Sequence, residues 1–273
     1  MGNNKTLILP DLHLRHQKAE KIINLETPNE IIFLGDIFDD FNDTPEMVSD
    51  TAHWFVWSIN QKNRIHITGN HDAMYWFAEN KSVRCSGYEQ YKSILINDIV
   101  KKQDWEKLVF FHNLDNKWLM THGGFHPTWI DMSRARGDKV MEYSIERATK
   151  RLSREVNSCK KALYSDKHHW FAMPGFARSH TSPYYGGILW CDWDKEFQAT
   201  KGLHQLCGHT PNYNLRWCVI KEGGDRQESL PLESVVNPTL SDKNSYNICL
   251  DSQPGSRYYA IYEDGNLSIH KSD

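Results

Sequence analysis

Five short apolar runs in this chain each end in a side chain that can hold a hard or borderline metal ion. Residues 6–10 end in Asp11, with His13 two places on, and residues 31–34 run into Gly35-Asp36. Residues 64–68 lead to Gly69-Asn70-His71-Asp72, residues 118–121 to His122-Gly-Gly, and residues 205–208 to His209-Thr-Pro. Strands that each deliver one ligand from an end are how an open α/β sheet gathers a site along one edge. Carboxylate, carboxamide and imidazole donors suit Mn, Fe or Zn better than Ca or an all-thiolate zinc site. Asp11 and His13, two apart in an extended segment, would face one side and chelate one ion. Asn70, His122 and His209 would hold another, with Asp36, turned outward by Gly35, bridging the two. Two such ions about 3.5–4 Å apart can share a hydroxide, poise it as a nucleophile near neutral pH and clamp phosphoryl oxygens. His71, beside Asn70, is the expected general acid, and Asp39 the acceptor that fixes its tautomer.

The elements that must place these groups follow from periodicity. A polar helix ending near Leu25 separates the first two strands, and a second helix from about Pro45 to Asn60 carries Met47, Thr51, Trp54, Phe55 and Ile59 roughly on one face. This βαβαβ order predicts a mostly parallel sheet with right-handed crossovers. Residues 109–111 and 118–120 flank Asn113-Leu-Asp-Asn116 and read as a hairpin. Met141, Ile145, Ala148, Leu152, Val156 and Leu163 recur at steps of three and four, the mark of one long amphipathic helix. The stretch 131–170 is locally basic, and residues 127–187 are expected as a helical insertion or cap over or beside the cleft. Lys221 to Ser245 reads as a long loop, followed by closing strands at 246–251 and 258–262.

Composition is that of a soluble globular chain. Hydrophobic residues make up 39% and charged residues 25% of the 273, so a substantial core is possible. A net charge of -3 argues against a general nucleic-acid or membrane-surface binder. No apolar stretch is long enough for a signal peptide or membrane span, and six cysteines without CxxC spacing read as reduced thiols. A cytoplasmic location is therefore expected, without membrane partners.

Taken in order, Asp-x-His, Gly-Asp-x-x-Asp, Gly-Asn-His-Asp, His-Gly-Gly and Gly-His-Thr-Pro resemble the calcineurin-like metallophosphoesterase superfamily. Two further stretches point within it to the phosphoprotein phosphatase and bacterial diadenosine tetraphosphatase branch. Ile188-Leu-Trp-Cys-Asp-Trp-Asp194 is similar to that branch's Leu-Trp-x-Asp-Pro-Asp, and 246–252 resembles its closing hairpin. The resemblance implies a single domain over 1–273, a β-sandwich flanked by helices in four α/β/β/α layers. It implies one metal on Asp11, His13 and Asp36, another on Asp36, Asn70, His122 and His209, and His71 as proton donor oriented by Asp39. Three departures bear on substrate. Pro211 replaces the second His of Gly-His-x-His, Asp40 stands where phosphatases carry a phosphate-gripping Arg, and Leu14-Arg15-His16 follows Asp-x-His where Gly is frequent. Arg15 or Arg178 could replace the missing cation.

The resulting expectation is a metal-dependent phosphoric ester hydrolase with two divalent ions, Mn2+ first and Fe, Zn, Ni or Co as alternatives. Its metal-bridging hydroxide would attack a phosphate monoester of a phosphorylated small molecule, nucleotide or phosphoprotein. Dinucleoside polyphosphate hydrolysis and nucleic-acid or cyclic-nucleotide phosphodiester hydrolysis are the alternatives, nucleic acid being less favoured. A metal-binding interaction scaffold is the non-enzymatic alternative, disfavoured because a costly cluster of buried polar groups is retained.

Overall fold

The protein is described by a computed structural model over residues 4–129, 143–179, 181–223, 226–228, 243–252 and 257–272. Its strands are β1 (Lys5–Leu9), β2 (Glu30–Phe33), β3 (Arg64–His66), β4 (Phe111–Leu114), β5 (Trp118–Thr121), β6 (His204–Cys207), β7 (Arg216–Ile220), β8 (Arg226–Glu228), β9 (Ser245–Cys249), β10 (Tyr258–Glu263) and β11 (Asn266–Lys271). The helices are α1 (His16–Glu26), α2 (Pro45–Ile59), α3 (Asn70–Trp76), α4 (Gln90–Ile99), α5 (Lys102–Trp105) and α6 (Ile145–Tyr164). Local chemistry sets their starts. Thr44 accepts the amide of Met47 ahead of Pro45 in α2, and Ser144 accepts the amide of Arg147 at the head of α6.

Two sheets stack face to face, in the orders β11-β10-β1-β2-β3 and β4-β5-β6-β9-β7-β8. Strands β1, β2 and β3 run parallel, as the βαβαβ reading expects, and so do β5, β6 and β9. Alternation along each strand divides the apolar side chains into two layers. Ile8, Ile32, Trp118, Met120, Leu206 and Ile248 fill the space between the sheets. Leu7, Leu9, Ile31 and Phe33 face the other way, beneath Ala19 and Ile22 of α1 and Ala52 and Phe55 of α2. On the second sheet α6 packs against β4 and β5 through buried Ala148, Leu152, Cys159 and Leu163. The layering is the α/β/β/α sandwich expected from sequence.

Several expectations shift. The first hairpin strand begins at Phe111 rather than at Val109, because Val109 is taken up in a parallel bridge with Ile67 and accepts the amide of Thr68. The turn itself falls at Asp115 and Asn116, both at positive φ, which these residue types tolerate. The stretch expected as one loop from Lys221 contains β8, whose partner β7 lacks the alternation that would have announced it; residues 229–242 lie outside the described residues. Met141 also lies outside them. Of the described residues in 127–187, only Arg178 lines the large cleft at the strand ends. No helix among the described residues is long and apolar enough to cross a membrane.

Candidate metal centre

The two parallel trios deliver their ends to one place. Asp11, Asp36 and Asn70 follow β1, β2 and β3, while His122, His209 and Asp251 follow β5, β6 and β9. Sharp turns aim the side chains. Gly35 adopts φ 111 and Asp36 φ 47, both left-handed, and a Cβ on Gly35 would lie 2.6 Å from the Gly69 nitrogen. Asp11 and His13 do not share an extended segment. His13 (φ 44) and Leu14 (φ 65) are left-handed, and the Leu12 and His13 amides both donate to the Asp36 carbonyl, at 3.0 and 2.8 Å. A tight turn, stitched to the next strand's loop, is what brings His13 to Asp36.

Within the cluster, ligand atoms of Asp11, His13 and Asp36 lie within 4.8 Å of one another, as do those of Asp36, His122 and His209. Asp36 belongs to both groups. Asn70 Oδ1 sits 3.0 Å from His122 Nε2 and 2.9 Å from His209 Nδ1, and Asp36 Oδ2 is 3.3 Å from His122 Nε2. The tautomers are held from behind. His122 Nδ1 donates to the Leu34 carbonyl at 2.9 Å and His13 Nδ1 to the Asp39 carbonyl at 2.7 Å, which turns each Nε2 toward the cluster.

The electrostatics are those of a site for positive charge. Burial pushes the Asp11 carboxyl well up, and the nearby Asp251 and Asp36 carboxylates add to it. Burial also opposes charge on His122, yet Asp36 and Asp11 push its pKa up to about 10. Burial and the neighbouring His122 hold His209 well below its ordinary range, and His209 Nε2 is buried without a hydrogen-bond partner. Crowded carboxylates, imidazoles turned donor-inward and an orphaned ring nitrogen fit divalent cations, which offset the mutual repulsion of the acids.

The remaining expected residues also converge. His71 Nδ1 lies 3.0 Å from Asp39 Oδ2, and the His71 amide donates to Asp36 Oδ1 at 2.9 Å. Asn70, His71 and Asp72 open helix α3, so the run of β3 leads into a helix that carries Asn70 and His71 on its first turn. Asp72 faces inward, accepting the Ile37 and Gly69 amides. Arg15 and Arg178 both line the open cleft. Each is already gripped by a carboxylate, Arg15 by Asp40 at 2.7 Å and Arg178 by Asp192 at 2.9 Å. The acid that replaces the family arginine therefore holds another arginine in the cleft.

Three histidines outside the cluster have packing or capping roles. His66 is stacked on Phe33 and bonded to Ser58, and burial lowers its pKa to about 3. His126 stacks on Tyr185, while His169 caps a short turn through the Phe171 amide. Sequence reasoning missed three groups at or beneath the cleft. Asp251, 3% exposed, ends an apolar strand just as the five chosen ligands do, and that signal was present. Lys92 and Tyr75, bonded to Asp39, carried no local signal.

Close packing makes Gly69 a sensitive position. A Cβ there would overlap Asp36 Oδ1 and the Asp36 amide nitrogen, neither of which can retreat without moving a ligand. Gly69→Ala is expected to destabilise the fold by about 1–3 kcal/mol, the usual size of overpacking, and to lower metal content. Thermal unfolding and elemental analysis check both; full metal occupancy with unchanged stability would contradict the geometry.

Among solved structures, a metallophosphoesterase from Sphaerobacter thermophilus is similar at 15% identity and TM-score 0.45, covering 100% of this chain and 89% of that one. A protein serine/threonine phosphatase from Saccharomyces cerevisiae, with similarity to human phosphatase PP5, is similar at 12% identity and TM-score 0.48, covering 98% of this chain and 79% of that one. No curated protein sequence matches. The sequence profile of the calcineurin-like phosphoesterases matches residues 5–213. That span takes in every candidate ligand named from the sequence, and the chain accordingly belongs to the calcineurin-like phosphoesterase family of metal-dependent phosphoester hydrolases.

Proposed function

We propose that the chain is a phosphomonoesterase that works with two divalent ions, manganese being the expected pair. One ion would be held by Asp11, His13 and Asp36, the other by Asp36, Asn70, His122 and His209. The observation that carries this reading is Asp36, which belongs to both ligand groups and also anchors the His71 amide. When bound, such ions lower the pKa of a water and neutralise phosphoryl charge. The chain's own groups do the rest. His71, held at Nδ1 by Asp39, keeps Nε2 as the atom that hands a proton to the departing alkoxide. Arg15 and Arg178 present guanidinium forks to the phosphoryl oxygens, each pre-oriented by its own aspartate.

One observation favours a second reading. Because Asp40 and Asp192 half-neutralise the two arginines, the cleft's pull on a dianion is weakened, which suits a nucleotide or other phosphodiester. Dinucleoside polyphosphates, cyclic nucleotides and nucleic acid fall under it; phosphorylated small molecules and phosphoproteins fall under the first. The two part in a side-by-side rate for an aryl phosphate monoester and the matching diester, with Mn(II) restored after chelation. Faster monoester turnover is expected; faster diester turnover would replace the proposal with the second reading.

A further inference from the structure

The His71–Asp39 pair is fastened from behind. Asp39 occupies the left-handed region at φ 69, and its two oxygens face different partners. Oδ2 lies 3.0 Å from His71 Nδ1, whereas Oδ1 accepts the Tyr75 hydroxyl at 2.7 Å and the Lys92 ammonium at 3.2 Å. Lys92 is only 2% exposed, and lysine is almost never that buried unless paired. Its ammonium also reaches Asp43 Oδ2 at 2.6 Å and Glu89 Oε1 at 3.4 Å, and donates to the Gly87 carbonyl at 3.1 Å. Burial opposes the charge, but Asp43 and Asp39 outweigh it and raise the lysine's pKa. One cation thus ties the loop carrying Asp39 and Asp43 to the loop carrying Gly87 and Glu89, both of which line the cleft.

Without that cation, Asp39, Asp43 and Glu89 would face one another across a few ångströms with nothing between them. Asp39 would turn away from them toward water, and that rotation takes its acceptor oxygen from His71 Nδ1.

We propose that Lys92 is the positioning residue of the His71–Asp39 pair: with Tyr75, it pins Asp39 Oδ1 so that Oδ2 stays on His71 Nδ1 and Nε2 stays available to the leaving group. This rests on the reading of His71 as proton donor. A group acting through the proton donor matters only when the leaving group needs a proton. Lys92→Met keeps the buried stem and removes the charge. Its kcat should fall about 10–100-fold for an alkyl phosphate, the usual effect of losing an orienting partner. For an aryl phosphate with a strongly acidic phenol, kcat should stay close to that of the parent protein. KM and metal content should hold. In protein loaded with a diamagnetic divalent ion, the Nδ1-bound proton of His71 should lose the low-field 1H shift that its hydrogen bond to Asp39 gives it.

Tyr75→Phe removes the second fastener without touching charge. It should show a smaller loss with the same leaving-group selectivity, and it carries the test alone if Lys92→Met does not fold. Equal losses for both substrates, or no loss with an unaltered His71 Nδ1–H signal, would overturn the inference. His71→Ala is the control. If it shows leaving-group selectivity and the other two variants do not, the positioning role alone fails; if it shows none, the proton-donor reading falls and this inference with it.

Discussion

Asp36→Asn is expected to reduce kcat at least about 10³-fold while leaving a folded protein. Metal-ion catalysis supplies several kcal/mol of transition-state stabilisation, and each 1.36 kcal/mol is tenfold in rate. Asp36 is the single side chain common to both ligand groups, so its charge serves both ions. The substitution is conservative in every other respect. Asparagine keeps the shape and an oxygen able to accept the His71 amide, now at 2.9 Å. The turn that places His13 depends on the Asp36 carbonyl, not its side chain. What disappears is the anion beside His122, His71 and His13, which together hold the Asp36 carboxyl well below the usual range against the opposing effect of burial. Elemental analysis should find fewer than two ions per chain, and circular dichroism an unchanged fold. Undiminished turnover with full metal occupancy would refute the shared-ligand assignment. A scaffold that used the site only for binding would keep its effect in this variant, so the same protein tests that alternative.

His71→Ala should lower kcat by about 10²–10⁴, the range of general acid catalysis, with the metals retained. Burial disfavours an imidazolium at this position, yet Asp36 and the hydrogen bond to Asp39 raise its pKa well above that of free imidazole. A raised pKa favours the protonated ring, the state a general acid needs. The loss should be steepest for alkyl phosphates and shallow for aryl esters whose phenolate leaves unaided. A flat dependence on leaving-group acidity would remove His71 from the reaction. Metal loss would instead make it a support for Asn70, the adjacent residue at the head of α3.

Much of this site was legible before any coordinates, for a definite reason. A ligand at the end of an apolar strand is a local signal: the run and the polar residue are neighbours in sequence. Asp11, Asp36, Asn70, His122 and His209 all carry it, and so does Asp251, passed over because its strand was read only as a closing element. His71 and Asp39 followed from spacing alone. The parallel part of the first sheet was legible in the same way, from βαβ order, whereas the layered sandwich came from the family resemblance.

What the sequence left open depends on contacts between distant segments. The left-handed turn at His13 is held by the Asp36 carbonyl, and no propensity in Asp-Leu-His-Leu announces it. Asp40 reads from sequence as a repulsive acid where a cation belongs; in the fold it holds Arg15, 25 positions away, at the cleft. Lys92 sits on a helix whose pattern gives no hint of chemistry, and only the close approach of the 39–43 and 87–92 segments makes it the counter-ion of three carboxylates. The sequence by itself determined which side chains offer metal-ligating atoms at strand ends, because that is a property of residue type and of neighbours along the chain. Tertiary structure alone decided which charges neutralise which, because Coulomb and hydrogen-bond energies depend on distance in space, and the loops that set those distances are placed by the sandwich beneath them.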